Sequence, residues 1–322
     1  MSVKILATGS SLPELCVPNS HFESIMDTSD EWIVSRTGIK SRHIASHETT
    51  ATLGEAAARA AMYKSGLCPG DIGLVIFATI TPTSRVPSMA SLICEQLDIS
   101  RAIAFDINAA CTGFIYACTA ARAMMESAGI NNALIIGAET LSTITDYSDR
   151  TTAILFADGA GAAVLGRCES GGILAEYISG EPDSSRVLYC DYPAENTPFT
   201  EGKKPTEPHI MMNGKRVFVF AIGAMTEAIN AVLQKSGLSA DNIKWIVPHQ
   251  ANTRIIKSTA SRMEVPLERF FINLDTCGNT SSASIPIALD QLDQAHPLAP
   301  GDRIILVGFG GGLTYGAILI EW

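Results

Sequence analysis

Two stretches of this chain repeat one another. Lys64-Ser-Gly-Leu67 follows one long helical pattern and precedes a β-branched run at Ile72, and Lys235-Ser-Gly-Leu238 follows another and precedes the run at Ile243. Each run leads into a helical pattern, a short apolar strand and a turn of small residues. That turn is Asn108-Ala-Ala-Cys111 in one case and Asp275-Thr-Cys-Gly278 in the other. A shared tetrapeptide inside a shared order of elements indicates duplication. A duplicated βαβ-rich unit predicts two similar α/β halves packed together, with ligands at strand ends near their interface.

The remaining patterns fit that frame. Strands are expected at the N-terminus and over 72–79, 102–107, 133–137, 243–248, 270–274, 303–308 and 315–322, with an alternating segment over 153–166. Helices are expected over 49–65, 88–97, 217–236, 253–263 and 281–292, and another after Cys111. The division is an N-terminal half 1–166, a polar connecting region 167–210 with irregular strands, and a C-terminal half 211–322. The 322 residues are 47% hydrophobic and 17% charged, as expected when strands are covered on both faces.

No uninterrupted apolar run approaches the roughly 18–20 residues of a membrane span, and the N-terminus is too short in apolar residues for a signal peptide. These features predict a cytoplasmic protein with no membrane partner. A net charge of −10 argues against nucleic acid as the main partner, while leaving room for an acidic partner on a local basic patch. Eight cysteines without a C-x-x-C pair make neither a disulfide framework nor a zinc site, so no metal is expected.

One cysteine stands apart. Cys111 lies between an apolar strand and a helical pattern carrying Phe114, Ile115 and Cys118, with Ala109, Ala110 and Gly113 leaving room around it. Such a position faces the positive end of a helix dipole, which favours the nucleophilic thiolate; the alternative is one more small buried hydrophobe. His249, in Pro248-His-Gln-Ala-Asn-Thr-Arg254, sits at a strand end entering a helix, and Asn279 follows Gly278 in the second half. A pseudo-twofold between the halves would bring these turns into one cleft, where His249 and Asn279 are suitable partners for a thiolate in acyl chemistry. Gly308-Phe-Gly310-Gly311-Gly312 offers backbone N–H groups to an oxyanion. Taken singly, a histidine is usually structural and a Gly-Asn pair usually a turn.

The chain resembles the ketoacyl-acyl-carrier-protein synthase III enzymes of the thiolase superfamily over essentially its full length. The resembling runs are Thr28-Ser-Asp-Glu-Trp32-Ile, Arg36-Thr-Gly-Ile39, Asp106-Ile-Asn-Ala-Ala-Cys111 and Asp149-Arg150. Further on come Phe156-Ala-Asp-Gly-Ala-Gly161, Pro248-His-Gln-Ala-Asn252, Gly278-Asn-Thr-Ser281 and Gly310-Gly-Gly312. The resemblance implies a thiolase-like duplicated αβαβα layered fold with two pseudo-twofold-related halves. It implies that Cys111 takes an acyl group from acyl-coenzyme A, with the oxyanion held by the N–H groups of Cys111 and Gly311, Gly310 being the neighbouring alternative. Malonyl-acyl carrier protein then loses carbon dioxide while His249 and Asn279 stabilise the enolate. Acyl-coenzyme A is a substrate, no cofactor is implied, and the enzyme is expected to be a homodimer.

The same resemblance assigns the coenzyme path to Thr28, Trp32, Arg36, Thr37, Arg150 and Asn252, with Trp32 and Arg150 sandwiching the adenine. It assigns the acyl tunnel to Val86, Leu141 and Phe156. Val86 stands where short-chain members carry a bulky aromatic, which predicts tolerance of longer or branched primers. Val219 replaces a lysine of some members, so carrier-protein docking is expected on Arg254, Lys257 and Arg262 of one helix. A starter-unit synthase or acyltransferase of secondary metabolism shares this fold and nucleophile. A catalytically silent acyl-binding protein is opposed by the intact Cys111, His249 and Asn279, and a cysteine hydrolase by the lack of an acid to orient His249.

Overall fold

Runs of small and branched apolar residues build two sheets in the computed structural model, which describes residues 2–193, 198–199 and 208–322. The first contains Ser2–Ser11 (β1), Leu74–Ala78 (β2), Ile103–Ile107 (β3), Asn132–Thr140 (β4) and Asp158–Cys168 (β5), in the order β1-β5-β4-β2-β3. The second contains Gly172–Gly180 (β6), Trp245–Pro248 (β7), Arg303–Gly310 (β8) and Thr314–Glu321 (β9), in the order β6-β9-β8-β7. The principal helices are Thr50–Ser65 (α1), Met89–Gln96 (α2), Gly113–Ala128 (α3), Gly214–Ser236 (α4), Thr253–Arg262 (α5) and Ser284–Ala295 (α6).

Strand alternation sorts the side chains into layers. Leu74 and Ile76 of β2 and Ile304 and Leu306 of β8 face a central layer with Phe114 and Ile115 of α3 and Ile285 and Leu289 of α6. Their neighbours Val75 and Phe77 turn the other way, onto α1 and α2. Ile305 and Val307 turn onto α4 and α5. The result is helix, sheet, helix, sheet, helix, the layering expected of the thiolase-like fold. Helix α4 is long and apolar enough by composition to cross a membrane, but Ala221, Met225 and Ile229 pack it on the second sheet as a core helix.

The repeat is written in the backbone. Gly66 and Gly237, at φ +71° and +70°, end α1 and α4 in the left-handed conformation that glycine adopts without strain. The shared Ser-Gly is therefore a helix stop used twice. Register follows: Leu74 pairs with Ala133 as Trp245 pairs with Ile304, both in parallel. Ahead of each central helix, a 3-10 turn opens on a non-glycine residue of positive φ, Ala110 at +47° and Ser281 at +49°.

Three sequence expectations change. The turn matching Ala110–Thr112 is Ser281–Ala283, not the stretch at 275–278, which holds the short helix Leu274–Cys277. The strand expected over 270–274 is a single bridge between Phe270 and Ile246, because that helix and its entry turn take up the following residues. The region 167–210 is not merely a connector: β6, paired with β9 along its length, is the edge strand of the second sheet. Residues 194–197 and 200–207 of that region lie outside the described residues.

Candidate active site

Cys111 sits in the 3-10 turn between β3 and α3, partly open to a cavity of about 1110 Å³. Burial pushes its thiol up from 9.0 to about 12. The Ser281 hydroxyl, which has no hydrogen-bond partner of ordinary geometry among the described residues, offsets part of this, and the Glu139 carboxyl adds to it. Burial therefore works against the thiolate that the helix N-terminus favours. Alkylation of Cys111 by iodoacetamide should accelerate steadily from pH 7 to pH 10; a plateau near pH 8 would contradict this ionisation.

His249 follows β7, and its N–H donates to the Val307 carbonyl of β8 at 2.8 Å. The ring is edge-on to Phe309, with centroids 5.3 Å apart. Nδ1 is buried with no hydrogen-bond partner among the described residues, and burial lowers the imidazole pKa to about 3. The ring is thus neutral at any physiological pH. Asn279 is fixed from both sides: its N–H donates to Leu155 O at 3.0 Å, and its carbonyl accepts from Ala157 N at 2.9 Å. Its side-chain Oδ1 accepts from Ser281 N at 3.0 Å, which leaves the amide Nδ2 as the free end.

The second half reaches the sulfur through two close approaches. Gly310, at the end of β8, lies so near that a Cβ built on it would stand 2.7 Å from Cys111 N. Ser281, next but one to Asn279, faces the sulfur. Cys111, His249, Asn279, Gly310 and Gly311 all line the one cavity. A cavity lined by a cysteine sulfur, a neutral imidazole, a carboxamide and glycine-rich backbone suits transient negative charge on a bound oxygen. Among the described residues there is no group of three or more His, Cys, Asp or Glu arranged to hold a metal ion.

Trp32, Arg36, Thr37 and Asn252 line the same cavity, as do Leu141 and Phe156. The Thr37 hydroxyl bonds Ile33 O at 2.7 Å, and Asn252 caps α5 through Arg254 N at 2.8 Å. Thr28 and Arg150 are not part of the lining. The Arg150 guanidinium lies 5.1 Å from the Trp32 ring centroid, with Arg36 at 5.9 Å, so the expected adenine slot is closed by the cation itself. Val86 is 88% exposed and outside the cavity of its own chain, so the argument from its size to primer length does not hold within one chain. Arg254, Lys257 and Arg262 project from the exposed side of α5, whose Ile255, Ile256, Thr259 and Ala260 are buried.

Two residues that influence Cys111 were given no role in the sequence reading. Ser281 is hidden in a serine-rich run, and Glu139 ends an apolar strand. An acid in that place was the available signal, because a carboxylate is rarely fully buried without partners.

Comparison with known proteins gives a consistent picture. The family model described as 3-oxoacyl-[acyl-carrier-protein (ACP)] synthase III matches residues 105–181, and the model of that family's C-terminal part matches residues 233–322. The beta-ketoacyl-[acyl-carrier-protein] synthase III of Clostridium beijerinckii is 45% identical over 321 residues, 100% of this chain and 99% of that protein. The solved 3-oxoacyl-[acyl-carrier-protein] synthase III of Aquifex aeolicus superposes with a TM-score of 0.93 at 41% identity, covering 100% of both chains. The priming beta-ketosynthase of the R1128 polyketide pathway superposes at 0.92 with 34% identity, over 99% of this chain and 96% of its own.

Proposed function

This chain belongs to the beta-ketoacyl-[acyl-carrier-protein] synthase III family, and we propose that Cys111, His249 and Asn279 carry its decarboxylative condensation of an acyl-coenzyme A primer with malonyl-acyl carrier protein. The supporting observation is that one cavity is lined by a sulfur from the first half and an imidazole and a carboxamide from the second. The Cys111 sulfur loses its proton as it attacks the thioester carbonyl, and the N–H groups of Cys111 and Gly311 or Gly310 hold the oxyanion. Coenzyme A leaves as its thiol and carries that proton away. Malonyl-acyl carrier protein then breaks its bond to the carboxylate carbon, carbon dioxide departs, and the electron pair becomes an enolate. His249 Nε2–H and Asn279 Nδ2–H hold the enolate oxygen. Buried Nδ1 leaves Nε2 as the ring nitrogen for this task. The enolate carbon attacks the acyl carbonyl, and Cys111 leaves and is reprotonated. Neutral donors stabilise the enolate without protonating it.

Trp32, Arg36, Thr37 and Asn252 form the coenzyme arm of this reading, with Thr28 and Arg150 flanking it; the adenine enters by displacing the Arg150 guanidinium from the indole. Leu141 and Phe156 bound the acyl chain. The exposed cations Arg254, Lys257 and Arg262 receive the acidic carrier protein. The chemistry requires no metal or redox group. A homodimer is part of the proposal, supported by the open edge of β3, where Ile103 is 45% exposed. The setting proposed is the cytoplasm and fatty acid synthesis. The similarity to a polyketide priming enzyme supports a second reading, starter-unit synthesis, which differs in primer and pathway.

The test mixes the enzyme with malonyl-acyl carrier protein and acetyl-, isobutyryl- or octanoyl-coenzyme A, and weighs the carrier protein by mass spectrometry. A 3-oxoacyl-carrier product is expected; transfer of the primer without condensation counts against the proposal. Arg254→Glu should weaken carrier-protein use about tenfold at low salt and leave Cys111 acylation largely intact.

A further inference from the structure

The two elbows of the repeat treat their central residue differently. In the first, Asn108 Oδ1 accepts from Ala110 N at 3.2 Å and Cys111 follows, partly open to the cavity. In the second, Asn279 Oδ1 accepts from Ser281 N at 3.0 Å and Ser282 follows, 1% exposed. Instead of facing substrate, Ser282 Oγ lies 2.7 Å from Glu139 Oε1 and 2.9 Å from Ala78 O. Glu139, at the end of β4, is fully buried. Its Oε2 also accepts from Thr79 Oγ1 at 3.0 Å, Ile80 N at 3.0 Å, Thr81 N at 3.1 Å and Thr81 Oγ1 at 2.6 Å. It makes no ion pair among the described residues; four donors point at Oε2, and Ser282, whose single hydroxyl hydrogen is shared between Glu139 and Ala78 O, stands at Oε1.

We infer that Glu139 is a positioning residue of the condensing site, a buried anionic clamp that holds the elbow bearing Asn279 and Ser281 against the turn at 79–81 and presents its charge to Cys111. Burial raises the Glu139 pKa, and the hydrogen bonds from Thr81, Ser282, Ile80 and Thr79 work against that rise; the clamp requires the group in its ionised form, as the acceptor that the backbone N–H groups of Ile80 and Thr81 need in this dry setting. Through Ser282 the clamp fixes the elbow whose Asn279 amide faces the cavity, and through Ile80 it fixes part of the cavity wall. Glu139 from β4 raises the Cys111 thiol pKa, and His249, Arg36, Tyr189, Cys190, Asp191 and Tyr192 line the same cavity. Farther along α3, Cys118 and Tyr116 look toward Glu176 and Tyr315, and Arg122 pairs with Glu176. In its ionised form Glu139 has no paired cation among the described residues and opposes the Cys111 thiolate.

The inference rests on the proposed condensation for one readout only; the other needs no substrate. Glu139→Gln, Glu139→Asp and Ser282→Ala are compared with the parent by iodoacetamide alkylation of Cys111 across pH 7–10. Each is also compared by the separate rates of Cys111 acylation and of condensation with malonyl-acyl carrier protein. Removing the charge in Glu139→Gln should move the alkylation profile to lower pH by about 0.5–1 unit, with faster alkylation at every fixed pH. Glu139→Asp and Ser282→Ala, which keep the charge, should leave the profile in place. All three should lose condensation at least about tenfold while acylation stays within about threefold. An unshifted Glu139→Gln profile, or equal losses in both half-reactions, overturns the inference. Should Glu139→Gln fail to fold, Ser282→Ala decides: a loss confined to condensation supports the clamp, and no loss or an equal loss refutes it. A parent that does not condense at all refutes the proposed function instead, and the alkylation profiles still judge the clamp.

Discussion

Replacing His249 or Asn279 by alanine should slow condensation by about 10²–10³-fold while Cys111 acylation by acyl-coenzyme A stays within a few-fold. The separation follows from where charge develops. On the proposed mechanism, acylation places its oxyanion against backbone at Cys111 and the 310–312 glycines, whereas decarboxylation places an enolate against the imidazole and the carboxamide. Asn279→Asp sharpens the result. It keeps the oxygen that accepts from Ser281 N, so the elbow loses no backbone partner, but it replaces the free amide donor by a negative or acceptor oxygen. Loss as severe as in Asn279→Ala therefore identifies the donor rather than the fold as the missing element. Because burial lowers the His249 pKa to about 3, protonation of this ring should produce no falling limb in decarboxylation between pH 8 and pH 5.5. A limb near pH 6.5 that disappears in His249→Ala would mean that the ring titrates, and that it does more than donate a hydrogen bond.

Gly310→Ala should reduce Cys111 acylation by at least about 10²-fold, the size of effect expected when an oxyanion donor is displaced. A Cβ at this position would stand 2.7 Å from Cys111 N and 3.3 Å from both Ala110 Cβ and Cys111 Cα. Two of these three neighbours belong to the backbone of the nucleophile and cannot rotate away. Either β8 withdraws or the elbow at Ala110, already at φ +47°, moves. Both displace the N–H groups from the position of the substrate oxygen. Gly311→Ala is the contrasting change: its nearest neighbours would be Leu188 O at 3.3 Å and the Leu188 side chain at 3.6 Å. A smaller loss there than in Gly310→Ala, measured as the rate of acyl-enzyme formation, is expected. Equal and small losses would place the oxyanion elsewhere.

The meeting of Cys111, His249 and Asn279 at one cavity was legible in the sequence because each stands at a junction that periodicity marks. The cysteine and asparagine precede central helices, and the histidine ends a strand. The duplication supplied what single motifs lack, a reason for distant turns to meet. The register explains the division of labour: His249 stands where the first copy has Ala78, and Cys111 stands where the second has Ser282. What escaped the sequence depended on through-space relations. Glu139 reads as the polar end of a strand, and only the approach of Ser282 and the turn at 79–81 shows it as a buried hub. Val86 was placed by resemblance, and a resemblance cannot say which surface a side chain on an exposed loop faces. The strand at Gly172–Gly180 was missed because its sheet edge leaves Leu174 and Ile178 exposed, diluting the alternation that marks a half-buried strand. The helix dipole at Cys111 is visible in sequence, whereas the burial that works against it is not.

The central claim is that one sulfur receives the primer and surrenders it to a new carbon–carbon bond. Mass spectrometry of the intact protein tests it directly, first after mixing with acyl-coenzyme A and again after adding malonyl-acyl carrier protein. The account predicts a single acyl adduct that maps to Cys111, is absent in Cys111→Ala, and disappears as a 3-oxoacyl-carrier protein forms. An adduct that persists in Cys111→Ala, or one that malonyl-acyl carrier protein fails to discharge, would contradict it.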